Sequence, residues 1–537
     1  MKAEDLISYY KTLKSQKEPF DVLYQDVADY FCPYSGDFNR LFGKAENRQR
    51  YFINQDAQHA LDISASSLLG LTANPASRWF TFELTDEKLN RDVGLVRYLD
   101  EAGQTLLNYF NNPDAMFYAH YKTALIETVA FGTPTMQVRF NDEGEHFEFA
   151  ALPLCNVVVA EGVNGAVDVV MHEKKMTYRQ IMQKDNQWDI HKDTRKFAEE
   201  KPFDDTEVLF VYMPREGGKA DAVAKDKLPI AEYVIDKKTN HIMHEDGYYE
   251  MPVRTARWMQ VPGEVYGRSM AMIALSDART LNEATRLFYD AAEKNVNPAV
   301  FLPNDNMMGN KVNFTANAVN FYDASKGKPE FMTGTADIGV IAQSIEALRA
   351  SIRSLLMVDQ LQLQGTATMT ATEVMQRTDE KTRMLAPSLG RIQSELLSPL
   401  VERALNILIR KGLVDPMPEQ LAGAGIKVIY SNQVQRAQRS GEVQNFMMAI
   451  IQFMQLAQVS PDVLDHLDLD RAVREGMDML NVTSVLARDE KEVEAMREQR
   501  AQEQEAMMMA QQASMAGEAM GKVGEGINAI QGDAAAV

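Results

Sequence analysis

The side chains best suited to hold a metal ion lie together in one short segment, His241-Ile-Met-His244-Glu245-Asp246. Zinc proteases space two histidines four residues apart on one helix face, whereas His241 and His244 are three apart. The segment also falls within the polar stretch 237–247, which predicts a surface loop. A solvated loop is the simpler interpretation, and a metal-dependent enzyme using His241, His244 and Glu245 is kept as an alternative.

The remaining candidate motifs for chemistry are incomplete. Gly217-Gly-Lys219 lacks the spacing of a phosphate-binding loop and the Ser or Thr that follows its lysine. An acidic cluster at 465–470 lacks the glycine and the closing glutamate of a calcium loop. The eight histidines are scattered, and Cys32 and Cys155 fit small buried side chains in a reducing compartment. The sequence predicts no catalytic residue, no metal site and no cofactor.

Composition and charge narrow the class of protein. The 537 residues are 45% hydrophobic and 25% charged, which is typical of a folded chain with more than one domain. A net charge of −20 argues against tight binding to nucleic acid but is compatible with a surface past which a duplex moves. Apolar stretches such as Phe446–Ile451 are far shorter than the roughly 20 residues of a membrane helix, and the acidic N-terminus does not resemble a secretory signal. We expect a soluble protein of a cytosol-like compartment, without a membrane partner.

The periodicity of apolar residues predicts an α+β fold that is predominantly helical. Residues 1–132 show helical spacing, and 135–261 alternate in the manner of strands. A long helix is predicted at 267–295, then an insert with short strand-like pieces at 297–334, then a second helix at 337–357. The second helix carries aliphatic side chains at steps of four and three, which is typical of packing against another helix. These are Ile341, Ile345, Leu348, Ile352 and Leu355.

The segment after the second helix is predicted to be a neutral loop. Residues 358–369 contain no lysine or arginine. A capping box at Thr370–Glu373 then begins a helix that is predicted to bend at Pro387 and Pro399 and to end at Gly412. Acidic helices and a frayed tail are predicted to follow at the C-terminus.

Taken in order, these elements resemble the portal, or head-to-tail connector, family of short-tailed (podovirus-type) bacteriophages. Each motif alone is short, but the ordered set extends along most of the chain. The motifs that carry the resemblance are Asn74-Pro-Ala-Ser-Arg-Trp-Phe80, Gly263-Glu-Val-Tyr-Gly-Arg-Ser269 with Leu281-Asn282, Met369-Thr-Ala-Thr-Glu-Val374 with Leu385-Ala-Pro-Ser-Leu-Gly-Arg391, and Ser394-Glu-Leu-Leu-Ser-Pro-Leu-Val-Glu-Arg403.

The resemblance implies a portal fold in a ring-shaped oligomer of twelve copies. The ring would sit at one capsid vertex of the virion, after assembly in the host cytoplasm, and would form a channel through which the genome is packed, retained and later ejected. Its regions would be a wing at 1–264 and 370–455, a stem of two helices at 265–296 and 337–357, a clip at 297–336, a tunnel loop at 358–369, and a crown with a flexible tail at 456–537.

The resemblance also implies the sites of contact, none of them catalytic. Tunnel-loop side chains would face the passing double-stranded DNA: Asp359, Gln360, Gln362, Gln364 and Thr366. Clip side chains would bind the terminase and later a tail adaptor protein: Asn304, Asn306, Asn310, Lys311, Lys326 and Lys328. The stem helices would pack through Ile341, Ile345, Leu348, Ile352 and Leu355. Major capsid and scaffolding proteins are further expected partners, and a helical assembly scaffold that never contacts DNA is the alternative to a portal.

Overall fold

A computed structural model of the chain describes most of the first 300 residues and shorter parts of the remainder. The described residues are 2–34, 37–38, 53–86, 89, 92–141, 143–219, 224–296, 300–303, 313, 315, 318–322, 325, 338–358, 385–418, 425–430, 448–452, 496–497, 499–500, 502–504 and 507–509. They fall into two compact units, of which the larger is drawn from Met1–Phe82, Glu101–Ala422 and Ile426–Ala437 and the smaller from Glu83–Asp100, Gly423–Gly425 and Gln438–Val537.

Helices dominate the first part of the chain, as its apolar spacing predicts. They are α1 (Ala3–Phe31), α2 (Asp56–Thr72), α3 (Val93–Phe110) and α4 (Phe117–Phe131). The helix α4 ends at Gly132, whose φ of 75° lies in the left-handed region, so its N–H can bond the carbonyl oxygens of Glu127 and Thr128. A glycine adopts this conformation without the strain that a Cβ would introduce.

Nine strands are found among the described residues up to 255, and all but the first of them form two antiparallel sheets. The strands are β1 (Phe80–Leu84), β2 (Thr135–Asn141), β3 (His146–Ala151), β4 (Val157–Glu161), β5 (Val167–Thr177), β6 (Asp205–Pro214), β7 (Ile230–Asp236), β8 (His241–Tyr248) and β9 (Val253–Thr255), with short helices α5 (Tyr178–Met182) and α6 (Lys192–Glu200) between β5 and β6. One sheet has the order β4-β5-β6-β7-β8, and the other has the order β3-β2-β9. The helix α1 packs on the five-stranded sheet, where Leu6, Tyr10 and Leu13 join Met171 and Leu209 in one buried cluster.

The prediction of a surface loop at 237–247 is wrong for most of that stretch. Residues 241–248 form β8, which pairs with β7 from Asp236↔His241 to Ile230↔Tyr248. Met243 and Gly247 are buried there, and a side chain on Gly247 would overlap the carbonyl oxygen of Lys225. The hydrogen bonds of the neighbouring strand and the close approach of Lys225 outweigh the polar composition, which only weakly determines strand formation.

The later elements of the larger unit include two long helices, a third helix with a widened turn before it, and three short strands. They are α7 (Met270–Val296), β10 (Val300–Pro303), β11 (Val319–Tyr322), α8 (Ile338–Leu355), a π-helical turn at Ile392–Leu397, α9 (Ser398–Lys411) and β12 (Ile426–Tyr430). β10 and β11 pair in parallel, and β12 pairs with β1. The π-helical turn ends two residues before Pro399, which has no N–H to donate to the preceding turn. Gly412 ends α9 with a φ of 69°, and the C-cap predicted there is confirmed.

The smaller unit contributes fewer described residues. They comprise the first part of α3 and short helical segments at 448–452 and between 496 and 509. Throughout the described ranges, no helix combines the length and the apolar character needed to span a bilayer.

Candidate functional site

The candidate site is the pair of helices α7 and α8, which pack along each other. Ser351 of α8 donates a hydrogen bond of 2.6 Å to Asp277 Oδ2 of α7. Further along α7, Asn282 Oδ1 accepts a bond of 3.0 Å from the backbone N–H of Ile53. Asp56, three residues after Ile53, in turn contacts Arg349 of α8 at 2.6 Å. Moving forward along α7 thus means moving backward along α8, so the two helices run antiparallel.

The aliphatic seam predicted on α8 faces into the protein. Ile345 and Ile352 are buried, and Ile341, Leu348 and Leu355 are half-buried. On α7, the buried positions include the small residues Ala274 and Ala278, which allow the backbones of neighbouring helices to approach closely. The seam therefore lies inside this chain for at least two of its five members.

Charged and polar contacts attach the helix pair to the first two helices. Arg279 of α7 pairs with Asp26 of α1 at 2.6 Å. Ser64 of α2 donates a hydrogen bond of 2.7 Å to the carbonyl oxygen of Leu356, just beyond α8. Leu356 and Val358 are fully buried, so the chain is held firmly up to the start of the predicted tunnel loop. These contacts were missed by sequence reasoning because they join residues more than 250 positions apart, and no local pattern marks them.

The start of α7 is fixed by a close crossing of two glycines. Gly267 lies against Gly132, and a methyl group on Gly267 would overlap the carbonyl oxygen of Gly132. The N–H of Gly267 donates to Thr133 Oγ1 at 2.9 Å, and Ser269 Oγ donates to the carbonyl oxygen of Ala130 at 2.7 Å. The motif from Gly263 to Ser269 therefore has a physical role, because it joins the base of α7 to the end of α4.

Several apolar side chains of the helix pair have no cover from the described part of the chain. On α7, Leu287 is 49% exposed, Tyr289 is 58% exposed and Val296 is 77% exposed. Ile273 near the start of α7 and Val340 at the start of α8 are also exposed. After Thr285, the last buried position of α7, the face that continues the core is only half-buried, at Phe288, Ala291 and Ala292. Leu287 and Tyr289 are two positions apart and so lie on opposite sides of α7, which leaves apolar side chains exposed on both sides of this helix.

The other predicted contact residues fall outside the described residues. This applies to the tunnel-loop set Asp359, Gln360, Gln362, Gln364 and Thr366, and to the clip set Asn304, Asn306, Asn310, Lys311, Lys326 and Lys328. Their roles stay predictions from the sequence. The capping box predicted at Thr370–Glu373 also lies outside the described residues.

The histidines proposed for a metal enzyme do not converge on a common point. His241 Nε2 lies 3.1 Å from Asp189 Oδ2, whereas His244 Nε2 lies 3.9 Å from Asp246 Oδ2. Within the described ranges, no group of three or more His, Cys, Asp or Glu side chains is arranged to hold a metal ion. The geometry around His241, His244 and Glu245 thus gives the metal-enzyme alternative no support.

The described residues thus form an α+β body that carries an antiparallel helix pair with exposed apolar side chains. The chain belongs to the bacteriophage head to tail connecting protein family, which matches residues 3–486. The predicted portal resemblance is confirmed, and with it the function of connecting head to tail.

Known proteins similar to this chain include two phage proteins. The portal protein of Salmonella phage epsilon15 is 26% identical over 95% of this chain and 94% of its own length. The probable portal protein of Bordetella phage BPP-1 is 24% identical over 95% of this chain and 92% of its own length. A solved structure of the virion of a native gene transfer agent particle is 11% identical and covers 75% of this chain and 87% of its own, with a TM-score of 0.36.

Proposed function

We propose that this chain forms a closed ring of twelve copies at one vertex of the phage capsid, around a channel for double-stranded DNA. The observation that carries the proposal is the exposure of Leu287, Tyr289, Val296 and Val340 on two antiparallel helices. Repeating such a pair around an axis lets each copy cover the apolar side chains of the next, which is how a cyclic assembly closes. Family membership supports the placement at the junction of head and tail.

The charges of the helix pair support a channel that lets DNA pass. Arg286 pairs with Glu283 at 2.5 Å and with Asp290 at 3.4 Å. Arg279 and Arg349 are likewise paired with carboxylates. A guanidinium that is already neutralised competes poorly for a phosphate, and strong phosphate binding requires the release of counterions by unpaired cations. Together with the net charge of −20, this arrangement favours a wall that does not retain the duplex.

The finer division of the chain belongs to the same proposal. We assign α7 and α8 to the stem, the residues between them to a clip that binds the terminase and then a tail adaptor protein, and 358–369 to the tunnel loop. The remaining body forms the wing and contacts capsid and scaffolding proteins, and the C-terminal part forms the crown. Assembly takes place in the host cytoplasm, and the protein does not catalyse a reaction.

Measuring particle mass and shape tests the ring directly. Twelve chains of 60.4 kDa give a particle of about 0.7 MDa, which native mass spectrometry and negative-stain images should show as a disc with a central hole. Leu287→Asp should shift the population to monomers and small oligomers, because it places a charge on the apolar interface. Val163→Asp, at an exposed turn residue, is the matched control and should assemble normally. A wild-type protein that stays monomeric at micromolar concentration contradicts the proposal.

A further inference from the structure

Three arginines lie near the carboxylate of Glu250 on the α9 side of the larger unit, and Glu402 lies near one of them, Arg254. Arg410 donates to both carboxylate oxygens of Glu250, at 2.7 and 2.8 Å. Arg403 lies two helical turns earlier on α9 and donates to the Glu250 carbonyl oxygen at 2.6 Å and to its carboxylate at 3.4 Å. Arg254 of β9 is the third member, and it is close enough to Arg403 for the two charges to repel. The Glu250 carboxylate thus accepts hydrogen bonds from two guanidinium groups, those of Arg403 and Arg410.

Arg254 is the member with the fewest compensating contacts. It is half-buried, and within the described part of the chain its guanidinium makes no hydrogen bond or ion pair, only longer-range attraction to Glu402 and Glu250. The Nε atoms of Arg254 and Arg403 are both buried without an acceptor among the described residues. Burying a charged donor without a partner costs free energy, so such a site is stabilised when a further anionic group arrives.

Two tyrosines hold the cluster in a fixed position. The Arg403 guanidinium lies 5.0 Å from the centre of the Tyr248 ring, and that of Arg410 lies 4.7 Å from the centre of the Tyr249 ring. Contact between a guanidinium and an aromatic face is favourable and limits the freedom of a long side chain. Tyr249 and Arg410 are exposed, so the cluster opens to the surface. An incoming group therefore meets donors that are already positioned.

We propose that this arginine cluster binds a carboxylate side chain of a neighbouring copy of the same chain. The inference rests on the proposed ring, where a surface of one copy meets a different surface of the next. The planar guanidinium matches a carboxylate with two parallel hydrogen bonds. Each copy carries 76 Asp and Glu residues against 56 Lys and Arg residues, so a neighbour offers carboxylates in excess. A DNA phosphate can form the same two parallel hydrogen bonds with a guanidinium, so it is the alternative occupant that the experiment must distinguish.

Replacing Arg254 separates a docking role from a purely structural one. Arg254→Gln should leave the thermal stability of the unassembled chain equal or higher, because a buried charge without a close partner is removed. The concentration needed for half-maximal ring formation should rise by about tenfold or more, since an interfacial charge pair is lost. Arg179→Gln, at an exposed position of α5, is the matched control and should change neither quantity. Unchanged assembly of Arg254→Gln overturns the proposal.

Zero-length cross-linking identifies the occupant even if the glutamine variant misfolds. Arg254→Lys supplies a primary amine that a carbodiimide can join to a carboxylate in contact with it. Rings mixed from 15N-labelled and unlabelled chains should yield a cross-linked peptide pair of mixed isotope composition, which shows that the carboxylate comes from another copy. Cross-links only to Glu250 or Glu402 of the same chain, or none, overturn the proposal. If the Arg254 variants form normal rings but lose DNA binding, the occupant is a phosphate and the proposal is wrong. If the wild type forms no rings, the proposed ring is wrong as well.

Discussion

At the residue scale, a group of ionisable side chains is buried beneath α1. Lys17 Nζ donates to the carbonyl oxygen of Leu154 at 2.5 Å and lies 3.4 Å from Asp21. The N–H of Leu154 donates to Glu127 Oε1 at 3.3 Å, and Cys155 lies nearby. Burial raises the pKa of Glu127 to about 8 and lowers the pKa of Lys17. The carboxyl of Glu127 is therefore protonated in the folded protein at neutral pH.

Glu127→Gln should remove a pH dependence from the stability of the protein. An acid whose pKa is raised on folding stabilises the folded state at low pH, and that contribution is lost as pH rises from about 4.5 through the folded pKa of about 8. The wild type should lose stability relative to Glu127→Gln by up to about 1.4 kcal/mol per pH unit between pH 6 and 8. Lys17 contributes in the opposite sense in both proteins, and the thiol of Cys155, whose pKa burial raises to about 11, stays protonated.

Denaturant unfolding of both proteins between pH 6 and 9 measures this difference. Parallel stability curves for Glu127→Gln and the wild type would show that Glu127 does not change its ionisation in this range. The sequence alone did not predict the cluster. Lys17 and Asp21 are four residues apart, as in an exposed helical ion pair, and only the packing of α1 against Leu154 places them in the interior.

At the element scale, the sequence predicted the helices, whose pattern is local, and missed a strand whose formation depends on pairing with a distant segment. The helices α7 and α8 were predicted within a few residues because the apolar period is a property of each helix by itself. The strand β8 was missed, since its pairing with β7 and its contact with Lys225 outweigh its polar composition. The spacing of apolar residues also does not distinguish a side chain that is buried within the chain, such as Ile345, from one that is exposed, such as Leu287.

The crossing of Gly132 and Gly267 gives a prediction at the same scale. Gly267→Ala should destabilise the protein by about 3 kcal/mol, because the added methyl group has no space beside the Gly132 carbonyl and the Arg257 backbone. Gly390→Ala is the matched control, since Gly390 lies on an exposed helical turn with open space around its Cα. That control should stabilise the protein by up to about 1 kcal/mol through higher helix propensity. Thermal unfolding of the two variants compares them, and equal stability contradicts the assigned crossing.

At the scale of the whole molecule, charge acts on assembly and on DNA in different ways. A net charge of −20 per chain makes copies repel one another over long range. The proposed ring therefore needs local contacts that overcome this repulsion, and the apolar side chains of α7 and the arginine cluster at Arg254 are the contacts that we propose. In the proposed channel, the same excess of acids would keep a duplex from binding tightly to the wall. The acidic excess thus opposes assembly of the copies and favours the passage of DNA through the proposed channel.

Substitutions in the tunnel loop predicted at 358–369 give the sharpest test of how charge affects the passage of DNA. The loop has no basic residue, and a ring repeats any substitution in it around one duplex. Gln362→Lys with Gln364→Lys adds about 24 positive charges in twelve copies, and each phosphate that is neutralised steepens the log–log salt dependence of binding by about 0.9. We expect rings and proheads to form normally but DNA packaging to slow or stall at low salt and to recover as salt is raised.

The matched variant Gln362→Asn with Gln364→Asn should package at nearly the wild-type rate, because it adds no charge. Normal packaging by the lysine variant at low salt would place this loop away from the DNA, while leaving the ring itself intact.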